Sequence, residues 1–223
     1  VHHLGLDRRV LPYLVRDNYD RNRERRPIDS AVLENEFLRA TFLLEYGGRL
    51  WSLVDKRTGR ELLYRNPVFQ PGNLAIRNAW FSGGVEWNFA NYGHCTHTCE
   101  PVFAGRIKTA HGDVLRLYEF DRIKELPFQI DFALPPGVPW LLATMRIVNR
   151  HPLEIPMYWW SNIAVELHEG MRVLVPAEHA YNSGYTSRMN DVPIPRWRDL
   201  DVTYPALAPC AADYFYVLPE GRR

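Results

Sequence analysis

The sequence predicts an all-β protein, a sandwich or barrel, on three observations. Apolar and polar residues alternate in short runs, and these runs recur every ~10–12 residues. Seventeen prolines and frequent glycine turns separate them. Helical periodicity is scarce, with only Asp7–Val15 and Pro67–Ala79 competing as helices.

In order along the chain, residues 1–30 are polar and arginine-rich without a period, and read as an extended arm over the body. Arg21, Arg23, Arg25 and Arg26 lie there, alternating with Asp20 and Glu24, the pattern of a solvated segment more than a phosphate-binding patch. The texture changes at Ala31, so residues 31–223 are expected to form one sandwich domain. Ala31–Asn35 and Leu38–Leu44 read as strands. Gly47-Gly48 precedes the alternating Arg49–Val54, the turn Asp55–Gly59 and a partner strand Glu61–Arg65. Val102–Thr109, Val114–Ile123, Phe128–Leu134, Trp140–Asn149 and Pro156–Leu167 continue the series. Arg172–Pro176 is a short apolar strand, the chain from Asn182 is irregular, and Asp213–Leu218 is a last strand. The sheet then looks truncated.

With 223 residues and a net charge of +1, the chain can bury roughly 70% of its unfolded surface. The charge balance suggests neither nucleic acid nor an anionic membrane as partner. No apolar run reaches ~18 residues, and no export signal is visible, so cytoplasm is the expectation. Three cysteines argue against a disulfide framework. A Walker loop, a dinucleotide glycine fingerprint and a nucleophile elbow are all absent from the sequence, and no cofactor is expected.

Chemistry concentrates between Arg77 and Glu100. That stretch carries Arg77, Asn78, Glu86, Asn88, His94 and His97 among Trp80, Phe81, Trp87, Phe89 and Tyr92. Aromatic faces beside hydrogen-bonding groups suit a sugar, whose C–H face stacks while its hydroxyls are bonded. Ordinary core packing around a Gly-Gly bulge is the competing reading. Glu86 against an indole would have its charge disfavoured, and could form a proton-transfer pair with His94; a structural ion pair with Arg77 or Arg49 is the alternative. If His94–Cys99 is extended, Cys95, His97 and Cys99 share a face. The spacing does not match zinc knuckles, so buried thiols beside the histidines are expected, with no metal. In Tyr158–Asn162, alternation sets Tyr158, Trp160 and Asn162 on one face and Trp159 and Ser161 on the other.

Several of these segments resemble a known family. They are Glu45–Asp55, Asn66–Pro71, Arg77–Trp80, Gly83–Asn88, Tyr158–Val165 and Val173–Ala177. Together, over roughly residues 31–218, they are similar to an uncharacterised domain family of the galactose mutarotase-like superfamily, the superfamily of aldose 1-epimerases. Its members are often fused to tetratricopeptide repeats. The resemblance implies a β-supersandwich whose concave face binds carbohydrate, here as part of a larger sugar-metabolism protein. With the reading of the residues above, His94 and Glu86 are the candidate catalytic groups, and Arg49, Arg77, Asn78, Trp80, Trp87, Asn88, His97, Trp160 and Asn162 the candidate substrate contacts. Aldose 1-epimerases use two histidine acids and a C-terminal glutamate base. His94 matches the first histidine, Trp160 stands in place of the second, and the glutamate strand is expected beyond Arg223. An epimerase-like enzyme and a non-catalytic scaffold for the repeats are the alternative functions. Missing closing strands would leave an open edge for self-association or for completion by another chain.

Overall fold

The computed structural model describes residues 12–13, 21–71, 82–89, 94–110, 112–183 and 188–221. Among them are fifteen strands and two short 3-10 turns, Thr96–Cys99 and Pro205–Leu207. The fold is all-β, and every strand pairing is antiparallel. The chain divides into two compact units, Val1–Val165 and Glu166–Arg223.

The first unit holds two sheets. One comprises β1 (Ser30–Glu34), β2 (Leu38–Leu43), β3 (Arg49–Asp55), β4 (Arg60–Glu61), β5 (Val85–Phe89) and β10 (Trp159–Ile163), in the order β1-β2-β3-β5-β10, with β4 beside β3. The other is the meander β6 (Phe103–Thr109), β7 (Gly112–Asp121), β8 (Leu126–Ala133) and β9 (Leu142–Ile147). Alternation along each strand presents one face to the interior. Ala40, Phe42, Leu50 and Val85 thereby meet Leu117, Ile130 and Phe132 in one buried cluster, with Phe42 against Phe132 at 4.5 Å between ring centroids. A second cluster gathers Phe89, Cys95 and Phe128, and a third Leu43, Tyr46 and Cys99.

A bulge shapes the sheet. Thr41 pairs with Ser52 but Phe42 with Leu50, so Trp51 is an extra residue on β3. The alternation therefore slips by one, and Leu50 and Leu53, three residues apart, both pack on the same core.

Two glycine pairs make the tight connections. Gly47 and Gly48 both have φ +65°, and a Cβ on Gly47 would stand 2.5 Å from the carbonyl oxygen of His97. Gly84, also at φ +65°, would place a Cβ 2.3 Å from the Leu50 oxygen. Only glycine allows both the left-handed backbone and the approach.

In the second unit, β11 (His179–Ser183) lies between β12 (Met189–Pro193) and β15 (Asp213–Tyr216), and β13 (Arg196–Trp197) pairs with β14 (Leu200–Asp201). The region from Asn182, expected to be irregular, thus carries ordered strands. Conversely, Arg172–Pro176 forms no strand; its one ladder-like bond runs from the Val173 N–H to the Thr203 carbonyl. The expected strands Glu61–Arg65, Trp140–Asn149 and Pro156–Leu167 contract to Arg60–Glu61, Leu142–Ile147 and Trp159–Ile163, while isolated backbone bonds such as Tyr64 N–H to the Ala164 carbonyl continue beyond them. Both expected helices lie largely outside the described residues, and residues 67–71 are not helical. No helix among the described residues is long and apolar enough to cross a membrane.

Gly84→Ala and Gly59→Ala separate collision from backbone strain. Gly59 has φ +70° with open space around it, so its substitution should cost only about 1–2 kcal/mol of left-handed strain. Gly84→Ala should lose more than about 3 kcal/mol, because a backbone oxygen cannot yield. Urea unfolding measures both, and equal losses would refute the collision.

Candidate functional site

The outer face of the six-stranded sheet carries the polar residues. Alternation on β5 sends Val85, Trp87 and Phe89 inward and Glu86 and Asn88 outward. Register places Trp160 opposite Asn88 and Asn162 opposite Glu86, on that same outer face. The Arg49 guanidinium crosses to Glu86 from β3, donating to Glu86 Oε2 at 2.8 Å, to Thr98 Oγ1 at 2.7 Å and to the Gly83 carbonyl at 2.7 Å. Asn88 donates to Glu86 Oε1 at 3.0 Å and accepts the Cys95 N–H at 2.7 Å. His94 completes the group with a short hydrogen bond from Nδ1 to Glu86 Oε1. Its ring stands edge-on to Trp160, centroids 4.9 Å apart.

Arg49 and Glu86 are 2% and 1% exposed. Burial alone would push the Glu86 carboxyl upward, but the His94 hydrogen bond and the Arg49 charge outweigh it and hold the carboxyl below its ordinary range. Burial likewise lowers Arg49, against the pull of Glu86. The pair is therefore ionic. The expectation of a Glu86 whose charge is disfavoured by an indole is corrected here: the residue beside Glu86 in space is a guanidinium. The structural pairing with Arg49 and the pairing with His94, posed as alternatives, occur together.

His97 sits elsewhere. The Thr96–Cys99 segment is a 3-10 turn rather than a strand, so the expected common face of Cys95, His97 and Cys99 does not form. Cys95 joins Phe89 and Phe128, whereas Cys99 joins Leu43 and Tyr46. Among the described residues, no group of three or more His, Cys, Asp or Glu is placed to hold a metal ion. His97 stacks on Phe89 at 5.5 Å and 20° and meets Phe128 edge-on. Its Nε2 is 2.8 Å from the Tyr13 hydroxyl, which also accepts the Arg122 N–H at 2.8 Å and lies 3.3 Å from Asp121 Oδ1. One phenolic proton and two lone pairs satisfy all three if Tyr13 donates to Asp121 and His97 donates from Nε2. Nδ1 of His97 is then a bare acceptor, with no partner among the described residues. Burial, helped by the Arg122 charge, lowers the His97 pKa from 6.5 to about 3.

The structure thus brings together Arg49, Glu86, Asn88, His94 and Trp160, with Asn162 half-buried on the same face. It does not bring Trp87 or His97 to them. Trp87 is on the inner face, 5.1 Å from Phe132 and stacked with Trp159, its Nε1 donating to the Gly48 carbonyl. Arg77, Asn78 and Trp80 lie outside the described residues. Sequence reasoning missed Thr98 as the cap on Arg49 and Tyr13 as the partner of His97. Nothing in the spacing announces either, since 49 and 84 residues separate them.

Removing one member of a buried pair leaves the other charge uncompensated. Glu86→Gln should therefore cost about 3–5 kcal/mol in urea unfolding, and Arg49→Met with Glu86→Leu together should recover part of it. A second prediction concerns pH. The folded pKa of His97 is depressed, so between pH 6.5 and about 3 the unfolded chain binds the extra proton and stability falls as pH falls. At pH 5 the loss should be about 2 kcal/mol relative to neutrality. His97→Gln should flatten that part of the stability profile; an unchanged slope would contradict the burial of a neutral imidazole.

Comparison with known proteins bears on the whole chain. A crystal structure of a TPR-domain containing protein from Parabacteroides distasonis ATCC 8503 has a similar fold, with a TM-score of 0.68 at 22% identity. The similarity covers 74% of this chain and 28% of that one, so the chain spans under a third of that protein. A family model matches residues 7–204 of this sequence, and the chain belongs to that family, whose description is Domain of unknown function (DUF5107).

Proposed function

We propose that the chain is a carbohydrate-binding domain of mutarotase-like fold, working within a larger sugar-metabolism protein. The observation that carries this reading is the Trp160 indole. Its Nε1 is buried beside His94 and has no acceptor among the described residues. An unpartnered buried donor is costly, and a ligand hydroxyl would relieve it. Around it stand an amide at Asn162, an imidazole fixed by Glu86, and the indole itself as an apolar surface. That combination of one flat apolar wall and a few oriented polar groups suits a saccharide. The TPR-domain named in the similar structure's description supports a setting alongside such repeats.

One observation favours an aldose 1-epimerase-like reading as the second. The Glu86 bond fixes Nδ1 of His94, and Nε2 lies across the ring from it, the arrangement by which a carboxylate orients a histidine for proton transfer. In that reading His94 is the acid and Glu86 a positioning residue. The inner-face placement of Trp87 and the interior placement of His97 leave both without a contact role here.

Calorimetric titration with mono- and disaccharides tests the first reading. A sugar should bind, and Trp160→Ala should weaken it by at least ~10-fold, the scale of one lost stacking and hydrogen-bonding anchor. Polarimetry of freshly dissolved α-galactose and α-glucose tests the second: His94→Gln should abolish any acceleration while leaving binding within a few-fold. Absence of binding by every sugar would defeat the carbohydrate reading and favour a scaffold role.

A further inference from the structure

We infer that the cleft between the arginine-rich arm and the Tyr46–Phe69 aromatic pair receives the acidic group of a saccharide, a uronate carboxylate or a sulfate. This rests on the carbohydrate reading above and narrows its ligand class.

The cleft has a volume of about 910 Å³. Arg21, Arg23, Arg25 and Arg26 line one side of it, with Glu24 as the single carboxylate among its lining residues. Arg26 is held by Glu45 at 2.7 Å. Arg21, Arg23 and Arg25 make no ion pair with any described residue and are exposed. Three uncompensated guanidiniums on one hollow repel each other unless an anion joins them. Guanidinium also matches carboxylate and sulfate oxygens in paired hydrogen bonds.

The opposite wall is apolar. Tyr46 and Phe69 meet edge-to-face at 4.7 Å, and Phe69 meets Trp51 at 5.1 Å. An inorganic anion has no use for such a wall, whereas the C–H face of a sugar ring does. The chain's net charge is only +1, so no broad positive field exists to hold a nucleic-acid backbone. The attraction is local and fits one or two acidic groups on a small ligand.

One wall residue of the cleft also packs close to the buried Arg49–Glu86 pair. Tyr46 packs on Cys99, and the preceding residue, Thr98, accepts the hydrogen bond from Arg49. Tyr46 of the wall thus packs on the residue that follows the cap of the Arg49–Glu86 pair.

The test is calorimetric titration of the protein with galacturonate, glucuronate and sulfated disaccharides, each against its neutral counterpart. It is run at about 50 and about 500 mM salt, since screening weakens exposed charge pairs. The expected result is an acidic member binding at least ~10-fold tighter than its neutral partner at low salt, with the preference shrinking at high salt. Arg23→Ser with Arg25→Ser should erase the preference and leave neutral-sugar affinity and the melting temperature unchanged. Neutral sugars binding as tightly as acidic ones would overturn this inference and leave the carbohydrate reading standing. So would a preference that survives the double substitution, or inorganic sulfate binding as well as any saccharide. Failure of every sugar, acidic and neutral, would overturn both.

Discussion

The ion pair of Arg49 and Glu86 is the constraint on which the rest of the first unit depends. Strands β3 and β5 share one register pair, Leu50 with Val85, so the backbone ladder between them is minimal. The guanidinium supplies what the ladder lacks, reaching the Gly83 carbonyl, the Glu86 carboxylate and the Thr98 hydroxyl at once. Both charges are out of water, and such a pair holds only if hydrogen bonds complete it. His94 and Asn88 do so on the other carboxylate oxygen. Sheet continuity, the Thr96–Cys99 turn and the orientation of His94 therefore rise and fall together.

That dependence explains the glycines on either side. Gly47 lets the β2–β3 turn press against the His97 carbonyl, and its N–H reaches the Glu100 carbonyl at 2.8 Å. Gly84 lets the start of β5 press against Leu50. Both close approaches carry the chain segments near enough for one arginine to span them. A Cβ at either position would widen the gap, and the side-chain pairing would lose its geometry before any apolar contact was lost.

Most of the sheet framework was legible in the sequence, because alternation and turn residues are local signals. Leu38–Leu44 and Val114–Ile123 read as strands for that reason, and Leu38–Leu43 and Gly112–Asp121 form them. The bulge at Trp51 was not legible: it reverses which residues face inward, and only the register against Thr41 and Phe42 reveals it. Ladders in the second unit were missed because Pro, Asn and Asp interrupt β11 to β14, and two of those strands are only two residues long. In the site, alternation correctly grouped Trp160 with Asn162. It would also have separated Trp87 from Glu86 and Asn88 had β5 been treated as a strand; compositional clustering hid this. The Thr96–Cys99 turn defeated the strand assumption because the pairing of Asn88 with the Cys95 N–H bends the chain there.

The two histidines in and just before that turn show how position decides chemistry. His94 and His97 are three residues apart, yet one bonds a carboxylate and the other an aromatic stack and a phenol. Among Phe89 and Phe128, burial opposes an imidazolium at His97, and the Arg122 charge adds to it. Of the two, His94 is the one whose ring meets the polar residues of the outer face, bonded to Glu86 and edge-on to Trp160. Glu86 cannot carry a proton for a reaction on that face, since its two oxygens are occupied by Arg49, Asn88 and His94 and its charge is held in place. A two-group proton transfer would need a second titratable side chain on that face, and the register position opposite Asn88 is Trp160, which cannot titrate. Indole and imidazole together offer a flat apolar wall and one oriented polar group but no second proton carrier at that register position, which is why the proposal puts binding before epimerisation.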